Sequence, residues 1–364
     1  MMKTSEQHID RILFTFVVLL MFIGLFVVFS STIYIAGSKY NSGIYFLGKH
    51  FLRVLLGLAI IIFFAVFVDY SKLREYAPHI FIIVLLLLIS VLIFGTGEAK
   101  RWLQVGPLGF QVSEFAKIGT IIFLSYLLEK NRDRIWDFKF GFLPLFGTVV
   151  LVFILVLLQK SFTMAFLIFS VGILLIFIAG AKFKHLALSI SGGLPLLVFM
   201  FFIEPYRFQR LLAYINFSEA PNDAKHQALQ ALIGLGTGGL FGIGPGHSRQ
   251  REFYLPLAYN DYIFSIFGEE YGFIGSLILL FIFFVIFYRG IRIARYVVDD
   301  FGRFLAVGIT FLIFLTAVVH IGVVSRLLPP TGIPLPFVSY GGSAMIANCI
   351  GVGILLNISK QIKH

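Results

Sequence analysis

The run from Ile12 to Ile33 contains no charged residue. A stretch of that length crosses the ~30 Å hydrocarbon core of a bilayer as a helix. It exceeds the short apolar region of a cleaved signal, and no small-residue cleavage site follows it. Similar runs recur at about 50–69, 78–95, 113–129, 142–159, 162–180, 185–203, 262–288, 302–325 and 341–358. These predict an all-α polytopic membrane protein of about ten transmembrane helices, a single membrane domain over 1–364. The fifth and sixth spans are parted only by Gln159, Lys160 and Ser161. Hydrophobic residues make up 59% of the chain and charged ones 13%, against about 25% charged in soluble domains. A soluble globule could not cover that much apolar surface. A cytosolic enzyme, a disordered chain and a nucleic-acid binder are therefore excluded, despite the net charge of +11. The single cysteine, Cys349, allows no intramolecular disulfide.

The positive charge orients the spans. With the N-terminus inside, the cytoplasmic segments hold Lys3, Arg11, Lys72, Arg74, Lys130, Arg132, Arg134, Lys139, Lys182, Lys184, Arg289, Arg292, Arg295, Arg303, Lys360 and Lys363. The short outer segments hold only Lys39, Lys49, Lys100, Arg101, Lys160 and Arg326. Both termini are accordingly expected in the cytoplasm. A long outer loop, about 204–261, then joins the seventh and eighth spans.

Polar residues gather at the outer end, and a membrane protein keeps such groups at a cost. Before and into the fourth span stand Arg101-Trp102 and Gln111-Val112-Ser113-Glu114-Phe115-Ala116-Lys117. Ser113 suits a helix N-cap. Glu114 and Lys117 share a helix face and can pair. That pair reads either as an interfacial anchor or as a cation held near an anionic headgroup. The long outer loop holds a helix-like stretch, Ala224–Ile233, and then Gly234–Gly246, with glycine at 234, 236, 238, 239, 242, 244 and 246. Such a run either cradles an anion or packs closely. It lacks the following Lys-Ser/Thr of a nucleotide loop. Arg249 and Arg251 suit bidentate phosphate contacts. Asp261, entering the eighth span, reads either as a general base in a half-dry site or as a helix cap. Prolines 329, 330, 334 and 336 break the chain before Ser339-Tyr340-Gly341-Gly342-Ser343. Irregular backbone at that depth must be buried in protein or line a cavity, and the helix start beyond it could face an anion. His320 reads as a packed histidine and Asp299-Asp300 as a solvated loop. Metalloprotease, cysteine-pair and serine-hydrolase motifs are missing, as is the paired-carboxylate magnesium site of intramembrane prenyltransferases.

Three blocks resemble the SEDS family (FtsW, RodA, SpoVE), the polymerases of bacterial peptidoglycan. Arg101-Trp102-Leu103 with Gln111–Lys117 is similar to its RW[IL]…QPSEFAK block. Tyr254–Phe264 with Gly268–Gly272 is similar to YLPEAHTDFIF…GEELG. Thr331–Ser343 is similar to TG[IV]PLPF[LV]SYGGS. The resemblance covers nearly the whole chain. It implies a ten-helix glycosyltransferase of the bacterial cytoplasmic membrane that polymerises lipid II at the outer leaflet and releases undecaprenyl diphosphate. It implies Asp261 as general base, Glu114 and Lys117 as the pair on the fourth span, and substrate contacts from Arg101, Trp102, Ser339 and Ser343. A class B penicillin-binding protein and other divisome or elongasome proteins are the implied partners. A divalent cation, Mg or Mn, is compatible with the chemistry but has no motif here. Two departures stand out. Lys160 and Ser161 replace the proline and acid of the family's QPD-x-G-T, and Leu257 and Tyr259 replace the Glu and His of PEAHTD, leaving Glu252 as a stand-in carboxylate. The run Ser248–Pro256 resembles FtsW more than RodA, whereas the block opening the tenth span is closer to RodA; FtsW is the nearer. A lipid II flippase and a scaffold recruiting a transpeptidase are the competing readings.

Overall fold

The chain is described by a computed structural model covering residues 9–96, 101–105, 108–191, 214, 222–250 and 258–362. The fold is almost wholly helical. The long helices are α1 (Arg11–Tyr40), α2 (Tyr45–Phe67), α3 (Tyr70–Phe94), α4 (Val112–Lys130), α5 (Leu143–Leu158) and α6 (Phe162–Ile178). After them come α7 (183–191), α8 (Asn222–Thr237), the single turn α9 (Ala258–Asp261), α10 (Ile263–Tyr296), α11 (Asp300–Val324) and α12 (Gly342–Lys360). Among the described residues seven helical stretches are long and apolar enough to span a bilayer, and α6 is a shorter apolar helix. The predicted span 185–203 falls on α7 and then passes outside the described residues.

Burial sorts these helices into a centre and a rim. In their most apolar stretches α11 and α12 are 72% and 83% buried inside the protein, against 28% for α2 and α3. Phe51, Leu52, Leu55, Leu56 and Phe63 of α2 point outward, as apolar side chains can in lipid. The centre follows a different rule. Helix α4 carries Ser113, Glu114, Lys117, Thr120 and Ser125, all buried. Those groups would be expensive against hydrocarbon, so α4 packs inward between α3, α6 and α11. Thr120 and Ser125 return their hydroxyls to the carbonyls of Ala116 and Ile121.

The segment before α4 contains a hairpin that the helical reading did not anticipate. Strand β1 (Trp102–Val105) runs antiparallel to β2 (Leu108–Gln111), with Trp102 opposite Gln111. Two short apolar runs around Gly106-Pro107 are a recognisable hairpin signal. The hairpin ends where α4 begins.

Candidate functional site

Helix α4 starts at Val112, its N-cap is Gln111, and no side chain caps it. Ser113, expected as the N-cap, therefore lies inside the first turn, two residues past the actual N-cap. The cause is the hairpin: β2 runs through Gln111, whose N–H donates to Ser343 Oγ at 3.1 Å. Glu114 stands in the first turn, where the helix dipole favours a carboxylate. Lys117 Nζ is 2.8 Å from Glu114 Oε2, and their side chains are 3% and 1% exposed. The pair thus sits inside the protein, which argues against the interfacial-anchor reading.

Asp261 ends α9, while α10 begins at Ile263 with Tyr262 as N-cap and no side-chain capping bond. The carboxylate of Asp261 is not at the N-cap position of the helix it precedes. It faces the proline-rich loop instead. Gly332 has φ 69°, and a Cβ there would lie 3.4 Å from Asp261 Oδ2. Glycine supplies that dihedral without strain and keeps the backbone close to the carboxylate. Ser339 Oγ donates to Asn260 O and accepts from Leu335 N–H, both at 2.8 Å. Tyr340 N–H donates to Tyr259 O at 3.1 Å. On its other side the loop reaches α4: Ile333 shares a buried cluster with Val112 and Ala116, and His320 Nδ1 lies 2.7 Å from Ile333 O. One loop therefore touches Asp261, the entrance of α4 and, through Ser343, the hairpin. Ser339 and Ser343 enter the site as main-chain clamps.

The remaining expected residues fall at different places. The Arg101 guanidinium donates to the carbonyl of Lys160, tying the hairpin to the corner between α5 and α6. The Trp102 ring lies across Gly109 and is 41% exposed. Arg249 has an exposed side chain, and its N–H donates to Glu269 Oε1 at 3.2 Å. Arg251 and Glu252 lie outside the described residues. Glu269 also accepts from Ser248 Oγ, Gln250 N–H and Thr237 Oγ1. It is a buried carboxylate that fastens the loop.

The glycine run packs against protein. Gly272 has φ 67° and breaks α10. At the break Phe273 N–H donates to Gly239 O and Ile274 N–H to Leu240 O. In return Ile243 and Gly244 donate to the carbonyls of Glu269 and Glu270. A Cβ on Gly242, itself at φ 83°, would come within 2.1 Å of Glu270 O. Close backbone contact is what the glycines provide here, and the anion-cradle reading is set aside. Asp299 and Asp300 likewise depart from the solvated-loop reading: Asp299 caps α11, accepting from Gly302 N–H and Tyr70 Oη, and Asp300 pairs with Arg132.

Two residues absent from the expected set stand in the N-terminal part of α2. His50 is fully buried, with its ring 5.6 Å from that of Tyr340. The Arg53 guanidinium lies 4.1 Å over the Tyr340 ring. Their i, i+3 spacing puts both on one helix face. That spacing is readable in sequence, but their partner lies at the far end of the chain. Tyr259 packs edge-on against Tyr340 at 5.7 Å. Burial first, then neighbouring Tyr340, Tyr40 and Asp261, raise its phenol above the ordinary tyrosine value, so it stays neutral. Among the described residues no three His, Cys, Asp or Glu side chains gather as a metal cage.

Comparison with known proteins gives the chain a family. The family model of FtsW, RodA and SpoVE, described as "Cell cycle protein", matches residues 10–364. The chain belongs to that family. It is 38% identical over 367 residues to Stage V sporulation protein E of Bacillus subtilis, covering all of both chains. It is 37% identical over 366 residues to a probable peptidoglycan glycosyltransferase FtsW of Geobacter metallireducens, covering 100% of this chain and 97% of the relative. Among solved structures, the rod shape determining protein RodA of Thermus thermophilus matches with TM-score 0.70 and 25% identity over 98% of each chain. A chain of a peptidoglycan synthase complex matches with TM-score 0.78 and 24% identity, over 96% of this chain and 97% of that one. The protein is a multi-pass membrane protein of the RodA fold.

Proposed function

We propose that this protein is a peptidoglycan glycosyltransferase that extends glycan strands from lipid II at the outer face of the bacterial cytoplasmic membrane. The observation that carries the reading is the seat of Asp261: a carboxylate that lies against Gly332 and shares one loop with the entrance to the buried Glu114–Lys117 pair. In the reaction the acceptor sugar hydroxyl attacks the anomeric carbon of the lipid-linked donor. Asp261 removes the hydroxyl proton as the new C–O bond forms. The old bond to the diphosphate breaks, and undecaprenyl diphosphate departs with the electron pair. Lys117, held in place by Glu114, supplies positive charge near the leaving diphosphate, with Arg101 and Trp102 at the hairpin beside it; such fixed charge acts strongly in a water-poor site. Arg249 and Arg251 are assigned to the substrate's outer, polar part. No step here runs through a metal. A cation at this site would take most of its ligands from the substrate's own phosphates.

The run Ser248–Pro256 and the FtsW and SpoVE names among the relatives favour a division or sporulation role over elongation. The synthase-complex neighbour supports a transpeptidase of the penicillin-binding class as partner. A flippase has less support, because charged groups at the opposite end of the bundle pair with one another, as in Arg289–Asp10 and Arg132–Asp300. The test is polymerisation of purified lipid II by the protein and by Asp261→Asn. Glycan chains from the first and none from the second are expected, with both equally folded. Full polymerisation by the variant would remove the assigned base.

A further inference from the structure

The mechanism above leaves His50 and Arg53 unused, although both stand where they cost the fold something. Arg53 lies against the N-terminal turn of α12: a Cβ on Gly342 would sit 3.3 Å from Arg53 Nε. That turn begins a helix of 19 residues whose N-cap, Gly341, offers no side-chain bond, and its first turn holds no acidic residue. A helix N-terminus is itself a site of positive potential. A guanidinium placed beside it is repelled unless an anion lies between them. No carboxylate among the described residues pairs with Arg53, and its Nη1 is buried without a hydrogen-bond partner. Snorkelling to water would have satisfied that nitrogen. His50, one turn earlier on the same face, is fully buried, and neither ring nitrogen has a partner. Tyr340 joins the two: its ring carries the guanidinium at 4.1 Å on one contact and the imidazole at 5.6 Å on another. Buried polar groups are normally satisfied. Among the described residues, Arg53 Nη1, the ring N–H of His50 and an uncapped helix end remain open at one place, and all three can donate to an oxyanion.

We infer that Arg53, His50 and the N-terminal N–H groups of α12 form a binding site for one phosphate group. The inference rests on the proposed transferase reading only for the identity of the natural ligand, a lipid-linked diphosphate; the site itself follows from the geometry. Gly342 admits the guanidinium to the helix end, Tyr340 holds it flat, and the helix N–H groups would complete the oxyanion's hydrogen bonds. The site lies on the α2 side of the 331–343 loop, whereas the Glu114–Lys117 pair lies on the α4 side. A donor and an acceptor held by their phosphates at the two sides would leave their sugars free to meet at Asp261.

The test uses the full chain in nanodiscs of zwitterionic lipid, with thermal melting and direct binding as readouts. Three probes are compared: inorganic pyrophosphate, lipid II, and discs containing phosphatidylglycerol. Without an added anion, Arg53→Gln is expected to melt at or above the unsubstituted protein. With the effective probe, the unsubstituted protein is expected to gain melting temperature, and Arg53→Gln to bind at least ten-fold more weakly. A response to pyrophosphate identifies a free-anion site, a response to lipid II alone a substrate headgroup site, and saturation by phosphatidylglycerol alone an anionic-lipid site; each supports a phosphate site. An equal response of Arg53→Gln and the unsubstituted protein to every probe overturns it. So does an Arg53→Gln variant that melts lower without an anion and keeps the full anion-dependent gain. Asp261→Asn separates this inference from the transferase reading: it is expected to bind normally while making no polymer.

Discussion

The two ends of the helix bundle treat their charges differently. At the end that carries residues 10, 289 and 359, charged groups pair with one another. Arg289 grips both carboxylate oxygens of Asp10, whose N–H donates to Ser359. Arg74 pairs with Glu129, and Asn357 joins the carbonyl of Ala65 to the N–H of Tyr70. At the other end, clamps such as Ser339 and Ser343 use main-chain partners, while His50, Arg53 and Asn260 keep buried side-chain atoms without one. The first pattern is that of a fastening. The second is that of a surface awaiting a ligand, since a buried polar atom left open costs about 1–3 kcal/mol. Polarity in the membrane therefore says little by itself; whether it is already satisfied distinguishes a clasp from a site.

This contrast can be broken experimentally. The largest effect is expected from Asp261→Asn, with polymerisation falling by roughly the 10²–10⁴-fold that a general base supplies and no loss of melting temperature. An unfolded variant would move Asp261 to the fastening class. Glu114→Gln comes next. It strands a buried ammonium, which costs about 3–5 kcal/mol, and is expected to lower both melting temperature and turnover. The double variant Glu114→Gln with Lys117→Met is expected to regain melting temperature but no activity; regained activity would make the pair structural. Arg289→Ala should cost about 1–3 kcal/mol of stability and leave polymerisation per folded molecule unchanged. A turnover defect in that variant would blur the line between the ends. The smallest effect concerns Asp69, held below the ordinary carboxylate value of 3.8 by the Ser71 N–H and Gln361 against opposing burial. Because its folded value is depressed, its contribution is complete above 3.8 and fades as pH falls through the lower folded value. A melting series in acid is expected to show Asp69→Asn losing less stability than the parent over that range.

The helical framework was legible because a bilayer demands long apolar stretches, and these stand out wherever charge is absent. The Glu114–Lys117 pair was legible too, since its i, i+3 spacing lies within one helix. Other parts depend on distant partners. Ser113 loses its capping place because Gln111 is fixed from α12. The glycine run could equally have cradled an anion; only the break at Gly272 shows that its N–H groups already have partners. Asp261 meets Gly332, a residue some seventy positions further on that no local pattern points to. Arg53 lies in an apolar helix and is given meaning by Tyr340, far along the chain.

The exchange of hydrogen bonds at the Gly272 break has a mechanical meaning. There the segment 239–244 supplies main-chain partners that α10 cannot give itself. Peeling that segment away would leave bare amides in a nonpolar setting, at several kcal/mol for each unmet group. Segment 239–244 and the part of α10 around Gly272 must therefore travel together. A push applied to segment 239–244 is delivered to the helix that begins two residues after Asp261.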